Sequence, residues 1–257
     1  MNEFEGKTAV ITGAASGIGK ALAERFAKEK MQVVLADIEE EALEKTVESL
    51  RQYQHRVIGV KTDVLVEESI KELFAKATEE YGNVHILCNN AGIGANSGNK
   101  AIWEIENYDW DWVMGVNYQG VLQGIQTFLP HMIEHGEDGH VVTTVSMAGL
   151  LPGAGTYGVS KHAVMALTEA LSRDLINRNT KINASVLCPG FVDTRLTKKN
   201  TFKMPLVMSA SKAAALTLYG LKNGRFETHF PKRMSWFFKF INLLPLSIYL
   251  KLMGNLR

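Results

Sequence analysis

Tyr157-Gly158-Val159-Ser160-Lys161 sets a phenol and an ammonium four residues apart. On a helix that spacing puts both side chains on one face, a turn from each other. A tyrosine ordinarily titrates near pH 10 and is a poor proton carrier at neutrality. Lowering its pKa by about three units takes roughly 4 kcal/mol, which one cation about 4 Å away supplies at an effective dielectric of about 20. The pair is the minimum equipment for a tyrosine acid/base catalyst. Such pairs are also common as plain surface neighbours, so the reading depends on what else the chain holds.

A second group of residues suits a phosphate. Thr12-Gly13-Ala14-Ala15-Ser16-Gly17-Ile18-Gly19 follows a short apolar run and precedes a helical pattern. Glycines there permit positive φ and close backbone approach. The helix that follows offers N–H groups and a positive dipole end to a pyrophosphate. Asp37 closes the next apolar run. It reads as an acceptor for both adenosine ribose hydroxyls or as a helix cap. In the first role it would repel a 2′-phosphate, which favours NAD over NADP. Asp63 and Val64 end a third run, where Asp63 would face an adenine edge or cap a helix. Asn89-Asn90-Ala91-Gly92 ends a fourth, where small and amide residues allow a cofactor close to the backbone, or simply form a turn.

The elements that must position these residues alternate regularly. Strands are expected at Lys7–Thr12, Gln32–Ala36, Arg56–Val60, Val84–Cys88, His140–Val145, Ile182–Leu187 and Arg225–Phe230. Helices are expected at Gly17–Lys28, Glu39–Gln52, Glu67–Tyr81, Tyr108–Glu134, Thr156–Asn179 and Ser209–Lys222. This pattern predicts an α/β fold, a doubly wound, Rossmann-like parallel sheet of about seven strands with helices on both faces. With no repeat or low-complexity linker, one domain is expected over residues 1–257. Its 195–257 portion holds a substrate loop, the last strand and a C-terminal helical segment.

In this order the motifs resemble the short-chain dehydrogenase/reductase family. Thr12–Gly19 resembles its TGxxxGxG segment and Asn89–Gly92 its NNAG. Asn117 resembles its helix asparagine. Ser146, Tyr157 and Lys161 resemble its catalytic set, and Pro189, Gly190 and Thr194 its segment after the sixth strand. The resemblance spans about residues 5–195. It implies hydride transfer between a nicotinamide ring and a carbinol or carbonyl carbon. Tyr157 would carry the proton, and Lys161 would lower its pKa and bond the nicotinamide ribose. Ser146 would hold the substrate oxygen, and Asn117 would hold a water leading from Lys161 to solvent. Asn117 could equally satisfy backbone groups in a helix break. Cofactor contacts are expected from Gly13, Ser16, Gly17, Ile18, Gly19, Asp37, Asp63, Val64, Asn90, Ala91, Gly92, Tyr157, Lys161, Pro189, Gly190, Val192 and Thr194. Ser146 and Tyr157 stand closer together than is usual in the family, which implies a trimmed pocket wall between Leu150 and Thr156. The resemblance also implies a homodimer or homotetramer, and Ala163, Ala166 and Ala170 give the catalytic helix a small-residue face.

The totals bound the alternatives. The chain has 257 residues and a net charge of +1, so it carries no global field for nucleic acid. Its 46% hydrophobic and 21% charged content is that of a globular protein. Cys88 and Cys188 lie in apolar runs and form no disulfide framework, which fits a reducing compartment. His131 and His135 stand four apart without an evident third ligand, so no metal is expected. The short acidic N-terminus does not resemble a signal peptide, and a cytoplasmic location is expected.

The substrate loop carries Lys198, Lys199 and Lys203, which suit an acidic substrate group or a solvated loop. The tail is unusually apolar, with Trp236, Phe237, Phe240, Ile241 and Leu244 on one helical stripe. Lys239, Pro245 and Lys251 interrupt it, which argues against a span. Three readings stand: a lid or subunit contact, an interfacial membrane helix over 236–253, and disorder. The leading expectation is an NAD-dependent oxidoreductase acting on a secondary alcohol or ketone, with a lipophilic or hydroxy-substituted substrate. A nucleotide-sugar epimerase or dehydratase and a silent NAD-binding regulator are the alternatives. The first usually brings a longer C-terminal domain, and the second would lose Tyr157, Lys161 or Ser146.

Overall fold

Alternating apolar runs and amphipathic segments build a sheet covered on both faces in the computed structural model, which describes residues 3–53, 56–98, 100–150, 155–198 and 204–254. The first half runs β1 (Thr8–Thr12), α1 (Gly17–Lys28), β2 (Gln32–Asp37), α2 (Glu40–Arg51), β3 (Val57–Lys61), α3 (Glu67–Tyr81) and β4 (Ile86–Asn89). Then come α4 (Asn107–Met114), α5 (Gly120–Glu134), β5 (Gly139–Thr144), α6 (Gly155–Asn177), β6 (Ile182–Pro189), β7 (Val192–Asp193), α7 (Arg195–Lys198), β8 (Met208–Ser209), α8 (Ala210–Lys222), β9 (Glu227–Phe230), α9 (Lys232–Ile241) and α10 (Leu246–Gly254).

Seven strands pair in parallel in the order β3-β2-β1-β4-β5-β6-β9. The chain reverses its direction of travel across the sheet between β1 and β4. In open α/β sheets the carboxyl edge at such a point is where ligands sit. One face packs α1, α2 and α8 through Leu22, Phe26, Leu43, Leu50 and Leu218. The other packs α3, α5 and α6 through Ile70, Leu73, Phe128, Val164 and Leu175. Phe74 and Phe128 meet edge to face at 5.3 Å. Truncating a fully buried ring such as Phe26 to alanine costs about 3–5 kcal/mol.

The expected elements form, with shifts of a residue or two at several ends. Two differences are larger. The single helix expected over Tyr108–Glu134 is α4 and α5 joined by a π-helical turn, Gly115–Gln119, that contains Asn117. The extra residue in that turn re-aims the side chains it carries. The stretch after β6, where the sequence places cofactor contacts and then a substrate loop without regular structure, holds the two-residue pairing of β7 with β8 and the short α7. Lys199 and Lys203 lie outside the described residues, as do 151–154 of the shortened stretch before Tyr157.

Candidate active site

The carboxyl edge collects the residues singled out above. β1 ends in Thr12, and the chain turns at Gly13 (φ +65°) and Gly17 (φ +56°) before α1. A Cβ on Gly13 would lie 2.9 Å from Ala91 Cα, so only glycine lets this turn meet the turn after β4. Thr12 Oγ1 accepts from the backbone N–H groups of Asn90 and Ala91 at 3.0 and 3.1 Å and donates to the Cys88 carbonyl. Asn90 Nδ2 donates to the carbonyls of Thr12 (3.0 Å) and Gly13 (3.2 Å), while its Oδ1 accepts from Thr144 Oγ1 (3.1 Å). One amide thus ties the turns after β1 and β4 to the end of β5. The methyl of Thr194 packs against Gly17, which brings the segment after β6 to the start of α1.

Asp37 Oδ2 accepts from Ala15 N–H at 2.8 Å and Oδ1 from Glu39 N–H at 3.0 Å. The half-buried carboxylate is aimed into the glycine turn, and each oxygen keeps a lone pair for a ribose hydroxyl. Asp63 Oδ1 accepts from Leu65 N–H (2.9 Å), closing the turn into α3, and Val64 packs on Gly120 of α5. Among the described residues Ser16 makes no side-chain cap to α1, and the first turn of α1 carries no acid. Ser16, Gly17, Ile18 and Gly19 therefore leave an uncompensated positive helix end.

Tyr157 and Lys161 lie one turn apart on α6, as their spacing requires, with Lys161 Nζ 5.7 Å from the phenol ring centre. Lys161 is 4% exposed, and its ammonium donates to the Thr144 carbonyl at 3.0 Å. Burial lowers its pKa to about 8. Ser146, just past β5, stands beside the phenol and accepts from Ala148 N–H through Oγ at 3.1 Å. The expectation that Lys161 sets a low Tyr157 pKa does not hold for these residues alone. Burial raises the phenol, and the opposing influence is the Ser146 hydroxyl beside it. Nζ donates to the Thr144 carbonyl and lies 5.7 Å from the centre of the phenol ring.

Asn117 is fully buried. Its Oδ1 accepts from Ile93 N–H at 2.8 Å, and Nδ2 donates to the Ile93 carbonyl and to Ser160 Oγ, both at 3.0 Å. Ser160 in turn donates to the Tyr157 carbonyl at 2.8 Å. Asn117 thus clamps the chain after Gly92 to α6. A Cβ on Gly92 would meet Asn117 Oδ1 at 3.2 Å and Lys161 Nζ at 3.4 Å, so the three share one corner. Pro189 ends β6 opposite Phe230, and Gly190 N–H donates to the Phe230 carbonyl. A Cβ on Gly190 would touch Met234 of α9 at 2.8 Å and lie 3.5 Å from Met147 Sδ.

Several members of this site carry no local sequence signal. Thr12, Thr144 and Ser160 act through partners distant in the chain. Asp109 of α4 accepts from Thr156 Oγ1 at 2.8 Å and from Asn96 N–H at 3.0 Å, fixing where α6 begins. A third histidine that spacing did not reveal, His85, lies at the opposite edge, with its ring 5.5 Å from that of His135. Its Nδ1 accepts from Thr8 N–H and its Nε2 bonds Glu137, while His135 bonds the Val84 carbonyl. These imidazoles serve the start of the sheet.

Residues 7–205 match the family model for short chain dehydrogenases. The chain belongs to the short-chain dehydrogenase family of oxidoreductases. Among curated relatives, it is 35% identical over 226 residues to the 1-deoxy-11-beta-hydroxypentalenate dehydrogenase of Streptomyces exfoliatus, covering 86% of this chain and 81% of that protein. A short-chain dehydrogenase/reductase of Burkholderia phymatum, solved with NAD, superposes with a TM-score of 0.86 at 38% identity, covering 93% and 94% of the two chains. An alcohol dehydrogenase of Thermococcus sibiricus, solved with 5-hydroxy-NADP, gives 0.76 at 28% identity, covering 87% and 95%.

Proposed function

We propose that this protein is an NAD(H)-dependent oxidoreductase that interconverts a secondary alcohol and a ketone. The observation that carries the reading is the meeting of Tyr157, Ser146 and Lys161 at the carboxyl edge, beside an acid-free helix N-terminus and the carboxylate of Asp37. The residues fit a nicotinamide dinucleotide. The N–H groups of the Gly17–Gly19 turn would hold its pyrophosphate, and Asp37 its adenosine ribose. Asn90, Ala91, Gly92, Pro189, Gly190, Val192 and Thr194 would border the remainder. Once bound, that cofactor supplies the acceptor or donor of a hydride.

The chain's own residues handle the proton and the orientation. Tyr157 takes the hydroxyl proton of an alcohol onto its phenol oxygen, or gives one to a carbonyl oxygen in the reverse direction. The Ser146 hydroxyl holds that substrate oxygen as charge develops on it. Lys161, one turn along α6, would hold the nicotinamide ribose and keep a positive charge near the phenol once the cofactor is bound. Asn117 positions the loop after β4 against α6. Asp37 disfavours a 2′-phosphate by charge, which selects NAD over NADP. The apolar rim at Met147 and Met234 and the hydroxylated substrate named for the Streptomyces relative support a lipophilic or hydroxy-substituted substrate.

Titration with NADH and NADPH, followed by a panel of lipophilic ketones and secondary alcohols read at the nicotinamide absorbance, tests this reading. Tighter NADH binding and turnover of members of the panel are expected. Tighter NADPH binding overturns the role of Asp37, and binding without turnover across the panel overturns the activity.

A further inference from the structure

The C-terminal helices present one side to the protein and a different, apolar side to the outside. Ile241 of α9 and Tyr249 of α10 are buried, and Met234 reaches Gly190 at the edge of the site. Asn242 Nδ2 donates to the Leu150 carbonyl, and Lys239 pairs with Glu227 of β9. These contacts hold the segment in place. Outward stand Trp236 (76% exposed), Phe240 (66%), Leu243 (82%) and Leu246 (69%), with Phe237 and Leu250 beside them. The single stripe expected from the sequence is therefore split: Ile241 packs inward while Trp236, Phe237 and Phe240 face away.

Charge says what covers this face. From Thr228 to Arg257 the chain has no Asp or Glu. Lys232, Arg233 and Lys251 are exposed along the same segment. A second copy meeting this face symmetrically would set Lys232, Arg233 and Lys251 against like charges, since the nearby acid Glu227 is already paired with Lys239. An anionic lipid surface would accept both the aromatic face and the cations, whose stems can lie along apolar surface with their heads in the headgroups. Among the described residues no helix is long and apolar enough to cross a membrane.

We infer that α9 and α10 form a preformed interfacial platform that docks the protein peripherally on an anionic bilayer. Because Met234 of the same helix touches Gly190, docking places the substrate edge of the site at the membrane. The platform itself does not depend on which cofactor or substrate the site uses.

Flotation of the full chain with phosphatidylcholine vesicles, with and without phosphatidylglycerol, tests this. Co-flotation with the anionic vesicles, weakened by salt, is expected. The double variant Lys232→Gln/Arg233→Gln should bind them about tenfold or more less tightly. Trp236→Ser/Phe240→Ser should lose binding while unfolding at the wild-type temperature, since both side chains are exposed. Absence of flotation, or equal flotation with neutral and anionic vesicles, overturns the inference. So does a sedimentation-measured oligomer that dissociates in the Trp236→Ser/Phe240→Ser variant without vesicle binding by the wild type. NADH binding and turnover on the same samples keep a failure here separate from a failure of the proposed activity.

Discussion

Lys161 carries a cost that pH reveals. Its pKa falls from 10.5 to about 8 on burial, so between those values the unfolded chain binds more protons than the folded one. Stability from this group therefore rises with pH across that window. Lys161→Met removes it. The variant should be more stable than wild type near pH 7, by at most on the order of 3 kcal/mol, and the difference should shrink as pH climbs from 8 to 10. Denaturant unfolding of both proteins at several pH values checks this, and a constant difference would show that Lys161 is not strained by burial. Asp37 makes a second residue-scale prediction. Asp37→Asn keeps an acceptor for Ala15 N–H and removes the charge, so the preference for NADH over NADPH should fall about tenfold or more in binding titrations. The spacing of Tyr157 and Lys161 was legible because helical periodicity is local. Where the ammonium points was not, since Thr144 is brought beside it only by the packing of α6 against β6 and the turn that follows β5.

At the scale of elements, the sheet and its covering helices could be read from apolar runs and amphipathic spacing. The joints between them could not. Thr12 and Asn90 meet across 78 positions, and Asp109 and Thr156 across 47, separations at which no periodic pattern carries information. The π turn at Asn117 escaped for another reason. Its sequence is an ordinary helical one, and the distortion is held from outside by the Ile93 backbone and Ser160. Asn117→Ala leaves the part-buried N–H and carbonyl of Ile93 unpaired, a loss of about 1–3 kcal/mol for each group that water does not reach. The expected outcome is a lower unfolding midpoint and a lower kcat. Asn117→Asp restores an acceptor for Ile93 N–H but not the donor to its carbonyl, so it should recover only part of the loss. A full recovery by the aspartate variant would show that the carbonyl side of the clamp is idle.

On the scale of the whole molecule, a parallel sheet brings three loops, one helix face and the first of the two C-terminal helices to a single edge. The glycine turn after β1 and the Tyr157–Lys161 pair on α6 were visible in the sequence. The platform's two-sidedness was not visible, because which side of an apolar helix is covered depends on the surface it meets. A cofactor that binds only the folded chain should raise its unfolding temperature with concentration, by about 2.7 kcal/mol of stability at a hundred times Kd. NADH should do so at lower concentration than NADPH. The central claim is that this edge carries out hydride exchange with Tyr157 as the proton carrier. It is tested most directly by NADH-dependent reduction of the best ketone of the panel by wild type and Tyr157→Phe, with NADH affinity measured on both. The account predicts equal NADH affinity within a few-fold and a kcat lower by about 10² or more in the variant. Equal turnover by the two proteins would contradict it.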